Sequence, residues 1–129
     1  TEGYSGLHLY AFEGNNEKVL FYLRAGNDAD VSTDDGFTPL MAAARKGHDV
    51  VVKYLIDFGA DTNIHMRYTK KTALHLACEA ERLNEAVVDR LLRSGADERT
   101  TNWYGQSPLD ALMSTSSGKE GFETVRLLL

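Results

Sequence analysis

The sequence predicts an all-α solenoid of stacked helix-turn-helix units with protruding, β-hairpin-like fingers. In the first of two repeated signals, Ser or Thr opens a short apolar helix, and the helix leucines lie 33, 34 and 35 residues apart, at Leu7, Leu40, Leu74 and Leu109. The second signal is a Gly-x-Asp segment that follows an apolar helix pattern, beginning at Gly26, Gly59 and Gly95. Because both signals share one period, we expect one supersecondary unit repeated four times.

Repeat two shows how each unit is built. Thr38 followed by Pro39 predicts a helix start, because the Thr hydroxyl accepts a hydrogen bond from a free backbone N–H and Pro tolerates the first helical position. Gly47 is expected to end that helix in a left-handed conformation. A second helix should follow and stop at Gly59, since apolar residues recur at helical spacing at Val51, Val52, Leu55 and Ile56.

The other units predict the same pair of helices. Their second helices carry apolar residues at matching positions: Val19, Leu20 and Leu23, then Val87, Val88, Leu91 and Leu92, then Val125, Leu127, Leu128 and Leu129. Polar, turn-rich stretches between units should form the fingers, at residues 32–36, 63–71 and 99–105. We therefore expect a single domain over residues 1–129, with repeats at about 3–32, 33–65, 66–101 and 102–129.

These segments resemble the ankyrin repeat family, whose hallmark is Thr-Pro-Leu-His-x-Ala in a period near 33 residues. The resemblance covers the whole chain and is most specific in repeat two, where residues 35–40 and 47–48 match. Repeat three departs most: Lys70 replaces the finger glycine, Glu81 replaces the inter-helix glycine, and extra residues lie within 79–86. Repeat four expands its inter-helix turn over residues 114–121. These departures leave the local turns open.

Composition excludes several functional classes. The 129 residues are 43% apolar and 26% charged, which separates the chain from disordered proteins and allows a real core. A net charge of −5 argues against nucleic-acid binding, which needs a basic face. No apolar run approaches the roughly 20 residues of a membrane span. The single cysteine, Cys78, and the lack of a signal-peptide pattern favour an intracellular location, cytoplasmic or nuclear.

The histidines suggest a metal site, but their positions favour a structural role. His8 and His75 follow the motif leucine and His48 follows the inter-helix glycine, so they lie a repeat apart rather than together. No zinc-ligand spacing is present. The resemblance implies that histidines of the first kind hold the hairpin backbone, and we expect no bound metal.

Other chemically active residue types also have structural explanations. Three acids follow the helix-ending glycines and are expected to cap turn N–H groups: Asp28, Asp61 and Asp97. Cys78 falls in a small-residue helix, where a buried, inert thiol is expected. An S-x-x-K string at residues 116–119 lacks the companion motifs of hydrolases and predicts a polar loop. We expect no catalytic site, no cofactor and no enzyme activity.

Asn63 has two explanations. Leu55 and residues 61–63 resemble the leucine-to-asparagine spacing that asparagine hydroxylases modify in ankyrin repeats, although Thr62 departs from the usual aliphatic residue. The alternative, which we favour, is a structural asparagine in the turn.

Partner-binding residues follow from the resemblance, since ankyrin proteins hold partners in a concave groove lined by finger tips and first helices. Matching slots selects Tyr4, Phe12, Glu13, Asp34, Asp35, Phe37, Arg45, Lys46, His65, Tyr68, Thr69, Lys71, Glu79, Trp103, Tyr104, Gln106, Ser114 and Thr115. Trp and Tyr dominate interface hot spots, which favours partner contact for Trp103 and Tyr68. Phe37 fits packing on a neighbouring finger equally well.

Charge differs from finger to finger. Residues 34–35 are acidic, Arg67, Lys70 and Lys71 are basic, and residues 102–104 are aromatic and neutral. This order suits an extended peptide with a basic residue, an acidic residue and an apolar anchor in sequence, if these charges do more than interact with solvent.

The leading hypothesis is therefore an interaction module that binds a partner protein or peptide through its concave surface. The alternative is a regulatory or substrate-recognition domain of a larger multidomain enzyme, receptor or channel. A third explanation is small-ligand capture by Tyr68, Lys71 and Trp103.

The chain ends predict a fragment of a longer protein, because the sequence starts at Thr1 and stops at Leu129 inside an apolar run. Leu112, Met113 and residues 127–129 are expected to expose apolar surface. We expect a further repeat, a capping helix or an end-to-end self-association contact to cover it.

Overall fold

The structure, a computed structural model, describes residues 3–114 and places seven α-helices in that range. They are α1 (Gly6–Glu13), α2 (Asn16–Arg24), α3 (Pro39–Lys46), α4 (Asp49–Asp57), α5 (Ala73–Glu79), α6 (Glu85–Arg93) and α7 (Pro108–Met113). No helix within residues 3–114 is both long and apolar enough to cross a membrane.

The helices form two layers. The first helices of the repeats pack side by side in the order α1, α3, α5, α7, and the second helices α2, α4 and α6 form a row behind them. Three of the first helices also pack on the second helix of their own repeat, in the pairs α1/α2, α3/α4 and α5/α6. This arrangement confirms the predicted solenoid, while the expected second helix of repeat four lies outside the described residues.

Local sequence explains where the first helices begin and end. Each begins after a Ser or Thr whose hydroxyl accepts a backbone N–H of the first turn, namely Ser5, Thr38, Thr72 and Ser107. Gly14 and Gly47 end α1 and α3 at φ 75°, a conformation that costs glycine little. In repeat three, where Glu81 replaces that glycine, α5 stops at Glu79 and Ala80 takes φ −58° instead.

The core lies between the layers. The motif leucines Leu7, Leu40 and Leu74 are buried and Leu109 is partly buried against the same core. Leu112 is fully buried, so the expectation that it exposes apolar surface is wrong: the short helix α7 packs on α5 and turns this side chain inward. Met113 is exposed, and residues 127–129 lie outside the described range.

The fingers are tight hairpins. In each, a backbone N–H at the start of the turn donates to the carbonyl at its end: Thr33 to Phe37 (3.0 Å), Met66 to Lys71 (2.8 Å) and Asn102 to Gln106 (2.9 Å). Adjacent fingers are also joined, because the Arg67 N–H donates to the Asp35 carbonyl and the Trp103 N–H to the Thr69 carbonyl, both at 2.7 Å. Fingers two to four are therefore one hydrogen-bonded edge.

Two histidines fasten the fingers to the first helices. The Nδ1 atoms of His8 and His75 accept the backbone N–H groups of Ser5 (3.1 Å) and Thr72 (3.3 Å). Each Nε2 then carries the proton and donates to the next repeat, to the Phe37 carbonyl (2.8 Å) from His8 and to the Gln106 carbonyl (2.9 Å) from His75. The expected structural role of both histidines is confirmed.

His48 joins repeats at the opposite end of the first helices. Its Nε2 lies 2.9 Å from the Phe12 carbonyl oxygen, and its ring packs so closely on Gly14 that a Cβ there would lie 2.6 Å away. Within residues 3–114, no three His, Cys, Asp or Glu side chains come together in a way that could hold a metal ion.

A second polar network joins the turns after the second helices. The carboxylates of Asp28, Asp61 and Asp97 each accept a backbone N–H two residues on, which confirms the expected capping. The Asn63 side chain joins two repeats, because its Oδ1 accepts the Asp97 N–H (2.7 Å) and its Nδ2 donates to the Gly95 carbonyl (3.0 Å). These bonds support the structural explanation of Asn63, and its hydroxylation remains untested.

Replacing Lys70 by Gly should stabilise the fold. Lys70 has φ 61°, and the equivalent position in finger two is Gly36 at φ 83°. A left-handed non-glycine residue costs about 1–2 kcal/mol, and the added chain entropy of Gly costs about 0.5–1 kcal/mol, so we expect a net gain of about 0.5–1 kcal/mol in the free energy of unfolding. Urea denaturation measures it.

The control replaces the glycine of finger two. Gly36→Ala should lower the free energy of unfolding by about 1–2 kcal/mol, because alanine is strained in this left-handed conformation and its Cβ would lie 3.3 Å from the His65 carbonyl oxygen. A Lys70→Gly variant that unfolds at lower urea than wild type would contradict the expectation.

Stability should fall as the pH drops below about 6.5. Burial lowers the pKa values of His8 and His75 below 6.5, so the unfolded chain takes up more protons than the folded chain as the pH falls. Their contribution to stability is therefore complete above the unfolded pKa and is lost progressively as the pH falls from that value through the lowered folded-state pKa. Urea midpoints at about pH 7.5 and about pH 5.5 measure the effect.

A His8→Met/His75→Met variant is the matched control, since buried Met41 occupies this slot in repeat two. In this variant the Phe37 and Gln106 carbonyls lose the hydrogen bond from a histidine but still accept the backbone N–H groups of their own fingers. We expect its urea midpoint to depend less on pH than that of wild type, and an equal dependence would exclude the two histidines as its source.

Candidate functional site

A groove of about 680 Å³ lies between the fingers and the first helices. We call it the concave groove. Its apolar lining comes from the first finger, α1, α3, α5 and the next fingers: Tyr4, Leu9, Phe12, Phe37, Ala42, Met66 and Leu76. Two charged residues also line the groove, Asp35 on the second finger and Arg45 near the end of α3.

An aromatic cluster shapes the finger side of this groove. Tyr4 meets the rings of His8 and Phe37 edge-on, at centroid distances of 5.6 and 6.1 Å, and His8 stacks on Phe37 at 6.2 Å. Phe37 is half-buried, which confirms packing on its neighbours, and it also lines the groove, where its contact with a partner stays a prediction. Because the His8 hydrogen bond fixes the Phe37 backbone, this wall is held in place before anything binds.

Two large apolar side chains on α1 are uncovered on the groove floor. Leu9 is 53% exposed and Phe12 is 47% exposed, and the Lys46 ammonium lies 4.7 Å from the Phe12 ring centroid. The sequence did not indicate Leu9 as a binding residue. The repeat pattern alone does not predict its exposure, because Leu76, in the same slot of repeat three, is only 4% exposed. Nor did the sequence indicate Met66, a half-buried residue of the third finger.

The finger-tip aromatics are a second set of uncovered side chains. Tyr68, Trp103 and Tyr104 are 70%, 71% and 77% exposed, the highest values among the large apolar and aromatic side chains within residues 3–114. The Arg67 guanidinium lies 5.9 Å from the Tyr68 ring centroid, within cation–π range. Their backbones are fixed, because the Trp103 N–H donates to the finger carrying Tyr68.

Several predicted partner-binding residues are committed to internal contacts. Lys71 forms an ion pair with Glu79 at 3.0 Å, so the third finger is less basic than its sequence suggests. The Gln106 side chain accepts a hydrogen bond from the Asn102 amide (3.2 Å). Ser114 donates to the Ala111 carbonyl at the end of α7 (2.7 Å). These side chains already have partners within the fold.

The remaining predicted residues have other placements. Thr69 is half-buried, and its carbonyl accepts the Trp103 N–H. Thr115 lies outside the described residues. The others have exposed side chains, namely Glu13, Asp34, Asp35, Arg45, Lys46 and His65. Partner contact by any of these residues stays a prediction.

Cys78 has no features of a nucleophile. It is fully buried in α5, and burial, with a smaller contribution from the charge of Glu79, raises the pKa of its thiol to about 12. A thiolate is the reactive form of cysteine, so this residue is inert near neutral pH.

Comparison with known proteins agrees with this architecture. The family pattern described as Ankyrin repeats (3 copies) matches residues 7–102. The mouse inactive serine/threonine-protein kinase TEX14 is 33% identical over 102 residues, which are 79% of this chain and 7% of that protein. The mouse B-cell lymphoma 3 protein homolog is 36% identical over 109 residues, 84% of this chain and 24% of that protein.

A third relative, the mouse ankyrin repeat and SOCS box protein 16, is 30% identical over 125 residues, 91% of this chain and 27% of that protein. The chain thus spans less than a third of the length of each of these three relatives. The family match covers most of the chain and coincides with the stacked helix pairs and fingers. The chain belongs to the ankyrin repeat family.

Proposed function

We propose that this domain binds a segment of a partner protein in the concave groove, with the finger-tip aromatics as a second contact. Ankyrin repeats are protein-interaction modules. The observation that carries the proposal is the uncovered apolar surface of Leu9 and Phe12 beside Tyr4, all about half-exposed in one groove. Contiguous apolar surface of this kind marks interaction sites in folded proteins.

The electrostatics of the groove also suit a protein ligand. Its lining combines an apolar floor with a few charged groups, as protein–protein interfaces combine an apolar centre with a polar rim. The small-ligand explanation is weaker, because the ion pair with Glu79 engages the Lys71 ammonium on which it depends.

A place within a longer protein is the second candidate. The relatives are several times longer than this chain, and one is an inactive kinase. In that arrangement the groove would recognise a partner or substrate for activity encoded elsewhere. The reading frame on either side of residues 1 and 129 distinguishes this candidate from a free-standing adaptor.

Phe12→Ala should weaken binding and Phe21→Ala should not. The two residues form a matched pair, since both are exposed phenylalanines, but Phe12 lines the groove and Phe21 lies on the second helix α2. Peptides selected from a displayed library on the wild-type domain are titrated against both variants. A hot-spot loss of at least about 2 kcal/mol, roughly thirtyfold in Kd, is expected for Phe12→Ala alone.

One outcome would contradict the proposal. If selected peptides bind the Phe12→Ala and Leu9→Asp variants as tightly as they bind wild type, the concave groove is not the binding surface. Circular dichroism confirms that each variant keeps its helices, which both exposed positions should allow.

Trp103→Ala should also cost at least about 2 kcal/mol of binding while the melting temperature holds. The side chain is 71% exposed, and its backbone bond to Thr69 does not depend on the ring. Phe58→Ala, at the end of α4, is the control for loss of an exposed aromatic. An unchanged affinity would remove Trp103 from the binding surface.

A further inference from the structure

We infer that the concave groove takes an amphipathic α-helix of a partner protein, with an acidic edge toward Arg45 and Lys46 and a basic edge toward Asp34 and Asp35. This inference rests on the proposed function and adds the conformation and charge pattern of the ligand. It is carried by the direction of the first helices, the opposite charges beside the groove that take no part in the ion pairs of residues 3–114, and the closed edge of the fingers.

The groove has two different walls because the first helices all run the same way. Each begins at a finger, as the capping residues Ser5 and Thr38 show, and ends away from it. Asp35 and Phe37 therefore lie on the finger wall, while Phe12 and Arg45 lie at the helix ends. A ligand that follows the stack presents one edge to each wall.

Charges of opposite sign stand on these walls, outside the ion pairs of residues 3–114. The four ion pairs within residues 3–114 involve other side chains, so none of them engages Arg45, Lys46, Asp34 or Asp35. Lys46 is held over the Phe12 ring, which places its charge at the border of the apolar floor. An opposite charge on a ligand would be favoured at each wall.

The basic wall extends beyond the groove. A neighbouring cleft of about 450 Å³ is lined by Arg45, Lys46 and Arg82, together with Glu79 and Glu81. Glu79 is already paired with Lys71, so the cleft retains three basic groups and one acidic group outside the ion pairs of residues 3–114. The helix-end wall therefore favours a ligand with more than one carboxylate on that edge.

The finger edge points to a helix rather than a strand. Partners that add a strand need free backbone groups, but the Arg67 and Trp103 N–H groups already donate to neighbouring fingers. Recognition must then come from side chains entering the groove. The 680 Å³ volume and the apolar floor suit the anchors that a helix presents at positions i, i+3 or i+4, and i+7. A helix thus replaces the extended peptide expected from the finger charges.

A selection with a charge-swap test examines the inference. Random peptides displayed on phage are selected on the wild-type domain, and the enriched sequences are synthesised and titrated. We expect apolar residues at helical spacing with Asp or Glu along one edge, and helical circular dichroism on binding. Arg45→Glu should weaken binding at least tenfold, and changing the facing peptide carboxylate to Lys should restore most of that loss.

Controls separate the two levels of the proposal. Arg24→Glu, an exposed charge reversal at the end of α2, should leave binding unchanged. If Phe12→Ala abolishes binding but the peptides are extended, or Arg45→Glu has no effect, the inference fails and the proposed function stands. If no selected peptide depends on Phe12 or Leu9, both fail.

Discussion

The structure depends on close packing between the first helices of successive repeats. Helix α3 lies between α1 and α5, and its small residues Ala42, Ala43 and Ala44 are each at most 1% exposed. Neither face of such a helix could be buried by its own repeat alone, so the repeats fold only as a stack. Because the stack fixes every first helix in the same direction, it also places all the fingers along one side.

Polar contacts between repeats fix the register in which neighbouring repeats pack. Finger backbones donate to their neighbours, His8 and His75 connect helices to the next finger, and Asn63 joins two turns on the opposite side. Each contact joins a group of one repeat to a backbone group of another. Repeat two has the buried side chain of Met41 in place of the histidine. The finger that follows it is still closed by its own Met66-to-Lys71 backbone hydrogen bond, so packing is sufficient at this position.

The repeat period was sufficient to predict the fold, because caps, glycines and apolar spacing are local signals. The site was predicted less completely, since exposure depends on neighbours in the stack. Leu9 and Leu76 occupy one slot, yet only Leu9 is open to the groove. The Lys71–Glu79 pair likewise depends on how a finger folds back on its helix, and no spacing rule indicated it.

A rigid frame favours selective binding under the proposed function. The finger wall is fixed by hydrogen bonds within the domain, so association with a ligand would order few residues there and lose little conformational entropy. The side chains that remain uncovered, Leu9 and Phe12 in the groove and Trp103 at the tips, are not needed to close the core. Substitution at these positions should therefore leave the core packing intact, which separates stability from the proposed recognition in this domain.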